Sequence, residues 1–169
     1  IGSHTALVLL EAGHELLVFD DFSNSSPIAL DRVRELAGPA AAPRLRQMQG
    51  DIRNPRDLEQ AFTRASSGGI DAVIHFAGLK AVGESVVKPL RYWDVNVNGS
   101  RCLLDAMQTH SCHTLVFSSS ATLYGYPEAL PIPEKAPINP INPINPYGHT
   151  KAAVEQMLAD LHASAPDSW

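Results

Sequence analysis

Short apolar runs alternate with longer segments that open on helix caps, and the alternation holds from one end of this chain to the other. Glu15 to Asp20 (ELLVFD), Leu45 to Gln49, Ile70 to Phe76 (IDAVIHF) and Thr114 to Ser118 (TLVFS) read as strands. Residues 2–12 read as a helix stopped by Gly13, a residue that tolerates the positive φ of a C′ position. Ser26-Pro27 and Asn54-Pro55 each pair an N-cap with proline at the first helical position, opening helices to about residues 37 and 65. Pro89 to His110 supplies a long helix and Tyr147 to Ala163 another. Residues 127–146 are proline-rich, with Ile-Asn-Pro three times in succession from Ile138, and read as a polyproline-like loop. Strands that are apolar on both sides, each followed by a helix, belong in a parallel sheet covered on both faces. The expected fold is α/β, a doubly wound parallel sheet. Such sheets bind ligands at the carboxyl ends of their strands, here Asp20, Asp51, Phe76 and Ser118 to Ser120.

Composition narrows the ligand. Hydrophobic residues make up 44% of 169 and charged residues 18%, a globular balance, while the net charge of −5 comes without any Lys/Arg cluster. A nucleic-acid partner lacks its electrostatic footprint, so a small molecule is expected instead. No apolar run approaches the roughly 20 residues of a membrane span, and no membrane partner is expected. The two cysteines, Cys102 inside a helix and Cys112, do not make a disulfide framework, which points to the cytoplasm. His110, Cys112 and His113 lie close in sequence, but no second pair completes a four-ligand zinc site, and no metal is expected.

The chemistry-bearing residues fall where the fold puts ligands. Gly2 opens a helix and Asp20 ends the next strand eighteen residues later, the second half of a dinucleotide fingerprint. The helix N-terminus would face a pyrophosphate, and the acid would accept from ribose hydroxyls and repel a 2′-phosphate, favouring NAD over NADP. An ordinary helix start and a strand-end cap would look the same. Gly50-Asp51-Ile52 could place a carboxylate near an adenine amino group, or be a plain turn. Tyr147 and Lys151 are four apart, on one face of a helix, where the ammonium favours the phenolate that a general base requires. Two solvated residues would show the same spacing. Ser118 to Ser120 follow their strand directly, so that one hydroxyl can share a substrate oxygen with Tyr147, although serines also simply end strands.

The stretches IGSHTALVLLEAGH from Ile1, DDFSNS from Asp20, GDIRN from Gly50, VIHFAGLKAVGESV from Val73, FSSSATLYG from Phe117 and PYGHTK from Pro146 together resemble the extended short-chain dehydrogenases/reductases, within them the NAD-dependent epimerase/dehydratase group. The resemblance implies a Rossmann-type NAD-binding domain over 1–169 that lacks its first strand, cut at both ends, with the substrate domain outside the chain. It implies an NAD site at Ile1, Gly2, Asp20, Asp21, Phe22, Ser23, Asn24, Ser25, Asp51, Ile52, Phe76, Ala77, Gly78, Leu79, Lys80 and Asn96, shared with Tyr147 and Lys151. It implies a catalytic trio of Ser120, Tyr147 and Lys151, a UDP-sugar substrate epimerised at C4 through a 4-keto intermediate, and a homodimer. The 4,6-dehydratases of the same group carry Asp and Glu where this chain has Ala121 and Thr122, so elimination lacks its carboxyl pair. A protein that bound dinucleotide without turnover would have no need of Tyr147 and Lys151 together.

Overall fold

The computed structural model describes residues 1–64, 68–138 and 144–169, and they fall into two compact units, residues 1–69 and 70–169. In the first, α1 (Gly2–Glu11) leads into β1 (Leu16–Asp20), α2 (Ile28–Ala37), β2 (Leu45–Gln49) and α3 (Pro55–Arg64). The two strands pair in parallel from Leu16 against Leu45 to Asp20 against Gln49. Ala6 and Leu10 of α1 bury against Leu30 and Val33 of α2 with Ala41 and Leu45, because both helices place their apolar residues three to four apart. Gly13 stops α1 at φ +99°, and the Asn54 carboxamide accepts from Arg56 N–H at 3.0 Å at the head of α3. The cap expected at Ser26 is displaced by one residue: α2 begins at Ile28, and the Ser26 hydroxyl only reaches its N–H at 3.4 Å.

The second unit holds β3 (Ala72–His75), α4 (Val82–Val87), α5 (Pro89–Tyr92), a π-helical segment (Trp93–Asn98), α6 (Gly99–Thr109), β4 (Thr114–Phe117), a 3₁₀ turn (Ala121–Tyr124) and α7 (Pro146–Ser164). β3 and β4 pair in parallel, Ala72 against Thr114 to His75 against Phe117, and the Ser118 N–H donating to the His75 carbonyl at 3.1 Å extends the ladder. The fold class is therefore α/β with parallel strands, as the alternation predicts, and the described strands form one parallel pair in each unit.

Two elements differ from the reading of the sequence. The helix expected over 89–110 is interrupted by a wide π turn at Trp93–Asn98, where Asn96 uses its side chain on another part of the chain. The run from Val82, read as loop, contains the six-residue α4, which tertiary bonds hold: the fully buried Tyr92 places its hydroxyl 2.8 Å from the Ala81 carbonyl and 3.0 Å from Glu84 Oε2. A helix this short leaves no periodicity to read. The polyproline conformation expected around the middle Ile-Asn-Pro copy falls at 139–143, outside the described residues. Cys102 lies within α6 as expected, and both cysteines are buried thiols outside any disulfide.

Candidate active site

Each unit carries its share of the chemistry at the carboxyl ends of its strands. In the first, Ile1 precedes an α1 whose first turn has neither a side-chain cap nor an acid, and a helix start carries partial positive charge. At the end of β1, Asp20 accepts from Phe22 N–H at 2.7 Å and from the Ser25 hydroxyl at 2.8 Å, both through Oδ1. Among the described residues Oδ2 makes no bond, so one carboxylate oxygen stays available at the strand end. Asp21 accepts from Ser23 N–H at 2.8 Å, and Phe22 takes a left-handed φ of +56° that turns its ring onto the core. The segment from Asp20 through Asn24 to Ser25 is thereby a tight loop tied to the carboxylates of Asp20 and Asp21.

Asp51 is occupied. Arg53 donates to both of its oxygens, with Nε 2.9 Å from Oδ1, and holds the carboxyl below the usual carboxylate range. A ligand near Asp51 would have to share it with Arg53, while Ile52 beside it is buried.

In the second unit the loop after β3 runs through Phe76, Ala77, Gly78, Leu79 and Lys80, of which only Leu79 is buried. Gly78 sits at φ +154°, and a Cβ there would come within 3.0 Å of Asn96 Oδ1, so the position excludes a side chain on two counts. Asn96, in the π turn, accepts from Leu79 N–H at 2.8 Å and donates to the Leu79 carbonyl at 2.9 Å, pairing with the loop as a neighbouring strand would. π turns concentrate at functional positions.

α7 begins on Asn145, whose carboxamide accepts from Gly148 N–H at 2.8 Å, with Pro146 in the first turn. This cap sets Tyr147 and Lys151 on one face. Tyr147 is buried against Leu79, Tyr92 and Val95. Lys151 Nζ donates to the Ser118 carbonyl at 2.7 Å and lies 4.5 Å from the centre of the Phe117 ring; burial lowers its pKa from the ordinary lysine value. At the same strand end Ser120 caps the 3₁₀ turn and accepts from the Thr122 N–H at 3.3 Å, with the Thr122 hydroxyl 3.0 Å away.

Sequence reading passed over His75, Ser100 and Thr150, all buried here. Ser100 donates to the Asn96 carbonyl at 2.5 Å, which commits its proton, so the His75 ring at 2.8 Å must donate through Nε2–H. Burial, and then the Lys151 charge, push the His75 pKa down to about 4, keeping the ring neutral beside the ammonium. The signal available was His75 as the lone polar residue of an apolar strand. Thr150 stands directly before Lys151 and donates to the Tyr147 carbonyl at 2.7 Å. Among the described residues no group of three or more His, Cys, Asp or Glu is placed to hold a metal, and the His113 ring instead meets Trp169 edge-on. No helix among them is long and apolar enough to cross a membrane.

Comparison with known proteins adds the family. The profile of the NAD dependent epimerase/dehydratase family matches residues 1–167. UDP-glucose 4-epimerase 1 of Oryza sativa subsp. japonica is 51% identical over 167 residues, covering 99% of this chain and 45% of the rice protein. UDP-glucose 4-epimerase of Bacillus subtilis is 46% identical over 169 residues, covering 100% of this chain and 47% of its own. Among solved structures, UDP-glucose 4-epimerase from Bifidobacterium longum in complex with NAD+ and UDP superimposes with a TM-score of 0.88 at 42% identity, over 97% of this chain and 46% of that one. The chain spans about half the length of the curated relatives it matches. With the profile matched from the first residue to within two of the last, this chain belongs to the NAD dependent epimerase/dehydratase family.

Proposed function

We propose that this chain is the NAD-binding part of a UDP-glucose 4-epimerase that interconverts UDP-glucose and UDP-galactose. The observation that carries the reading is the seating of Tyr147 and Lys151: one face of α7 presents both, and the ammonium is bonded at the end of β4, two residues from Ser120.

The residues fit an NAD. An uncapped helix start at Gly2 suits a pyrophosphate, and the open oxygen of Asp20 suits the adenosine ribose. Phe22 and Ser23 to Ser25 close the loop beside it, with Asp51 and Ile52 following the next strand. Bound NAD supplies the acceptor and later the donor of the hydride at sugar C4. Everything else is work for the chain. Tyr147 takes the proton of the 4-hydroxyl and returns it after the 4-keto sugar has turned over. Ser120, an acceptor towards Thr122, has its own proton to donate to the substrate oxygen. Lys151 holds positive charge near the phenol and reaches the nicotinamide ribose; burial lowers its pKa, the Glu155 charge opposes that, and the ammonium bonds the Ser118 carbonyl beside the Phe117 ring. In the second unit the loop from Phe76 to Lys80, with Asn96 behind it, supplies the cofactor-binding residues that the family resemblance assigns there.

The absence of carboxyls at Ala121 and Thr122 argues against elimination of water, which separates this reading from a 4,6-dehydratase. The protein works in the cytoplasm as a homodimer. A cleft lined by Trp93, Asp94, Val97, Asn98, Arg101 and Met157 offers a surface to a second copy. Light scattering of the full-length protein decides the stoichiometry, and a monomer would remove the dimer from the account. The activity is tested by incubating the full-length protein with UDP-galactose: UDP-glucose should appear with no accumulation of NADH, and a net redox change or a dehydrated 4-keto-6-deoxy product would overturn the reading.

A further inference from the structure

One polar chain in the second unit is fully accounted for, bond by bond. The Asn96 side chain is 3% exposed and has two donors and one acceptor to satisfy. Its Oδ1 takes the Leu79 N–H, one Nδ2 hydrogen goes to the Leu79 carbonyl, and the other goes to Thr150 Oγ1 at 3.0 Å. Thr150, 0% exposed, spends its own proton on the Tyr147 carbonyl at 2.7 Å. The Thr150 oxygen therefore faces Asn96 as an acceptor only. A carboxamide can be rotated by a half turn with little change of shape, and that rotation would set Oδ1 against the Leu79 carbonyl and the amine against the Leu79 N–H. The two polar groups of Leu79 set the orientation of the amide, and the Thr150 oxygen takes its remaining hydrogen, tying the amide to α7.

We propose that Thr150 is a positioning residue for the loop from Phe76 to Lys80, acting through the Asn96 amide to couple that loop to the helix that carries Tyr147 and Lys151. Asn96, assigned by resemblance to the cofactor, then serves it indirectly: its donors and its carbonyl are committed to protein partners, and it is the loop backbone that meets the ligand. Gly78 belongs to the same device, because a Cβ there would press on the carbonyl oxygen of that amide at 3.0 Å. The inference rests on the reading of this loop as part of the NAD site.

The test uses the full-length holoenzyme and its Thr150→Val and Thr150→Ser variants. Valine keeps the volume of threonine and removes the hydroxyl, both the acceptor for the Asn96 amide and the donor to the Tyr147 carbonyl, leaving the buried Asn96 N–H without a partner. Hydrogen exchange of the peptide containing residues 76–80 should accelerate about tenfold in Thr150→Val, and NAD should be released about tenfold faster. Exchange of the β3 strand should be unchanged, KM for UDP-galactose should move less than about twofold, and Thr150→Ser should restore the parent values. Asn96→Asp, which removes both donors, should reproduce the faster exchange if valine prevents folding. Unchanged exchange and NAD release in a folded Thr150→Val protein would overturn the proposal, as would loss of folding in both variants, which makes the network a stability element alone. If the parent itself holds no NAD and does not epimerise, the functional reading fails; local exchange still reports on the coupling.

Discussion

At the scale of single residues, the account turns on how few atoms are left open. Asp20 uses Oδ1 on its own loop and keeps Oδ2, so Asp20→Ala should remove the ribose acceptor together with the repulsion of a 2′-phosphate. In the full-length protein that substitution is expected to weaken NAD more than NADP. Titration of both cofactors checks it, and an unchanged ratio of affinities would take Asp20 off the ribose. His75 makes a prediction about pH. Its pKa is near 4 in the folded chain against about 6.5 unfolded, so between those values the unfolded state binds a proton that the folded state refuses. Stability is fully present above pH 6.5 and falls as the pH drops towards 4, by roughly 3 kcal/mol from this one ring. Urea unfolding of the full-length protein at a series of pH values should show that loss, and a His75→Gln variant should lack most of it. An identical acid profile in the two proteins would mean that the histidine is not held neutral.

At the scale of elements, the start of α7 carries the site. Asn145 donates no chemistry, yet its carboxamide on Gly148 N–H fixes where the first turn places Tyr147. Asn145→Ala should cost about 1 kcal/mol, the usual worth of an N-cap, and lower activity by loosening the tyrosine. Denaturant titration with parallel rate measurements reads both effects; full stability in the alanine variant would show that tertiary packing alone holds the turn. The same motif, Asn followed by Pro, was legible at Asn54-Pro55, and its recurrence at Asn145-Pro146 could have been read in the same way. Strands were legible because apolar runs such as AVIH and TLVF are short and bounded. The π turn at Trp93–Asn98 was not, since it exists to bring Asn96 to Leu79, a bond between residues 17 apart in sequence. α4 was lost for a related reason: Tyr92, from outside its six residues, holds it through the Ala81 carbonyl and Glu84. Of the candidate site, Tyr147 and Lys151 stand out by their spacing and Ser118 to Ser120 by their strand end, while the resemblance alone singles out Ser120. His75, Ser100 and Thr150 could not, because their roles are hydrogen bonds made between elements.

At the scale of the whole molecule, the described residues of each unit form one parallel pair of strands, and Ile74 and Val116 are 36% and 57% exposed on the β3–β4 pair. Two-stranded sheets are marginal on their own. Residues 1–169 produced alone should therefore melt broadly and below the full-length protein; a sharp calorimetric transition at the full-length temperature would contradict that. The central claim is narrower, that this family member epimerises a UDP-sugar with Tyr147 as its base. It is tested most directly by comparing wild-type full-length protein with Tyr147→Phe in the conversion of UDP-galactose to UDP-glucose, with bound NAD measured in both. Phenylalanine fills the same buried space beside Leu79 and Tyr92 and removes only the proton acceptor. The account predicts equal NAD content and a rate lowered by about 10² to 10⁴, the usual worth of a positioned general base. Near-normal epimerisation by Tyr147→Phe would contradict it.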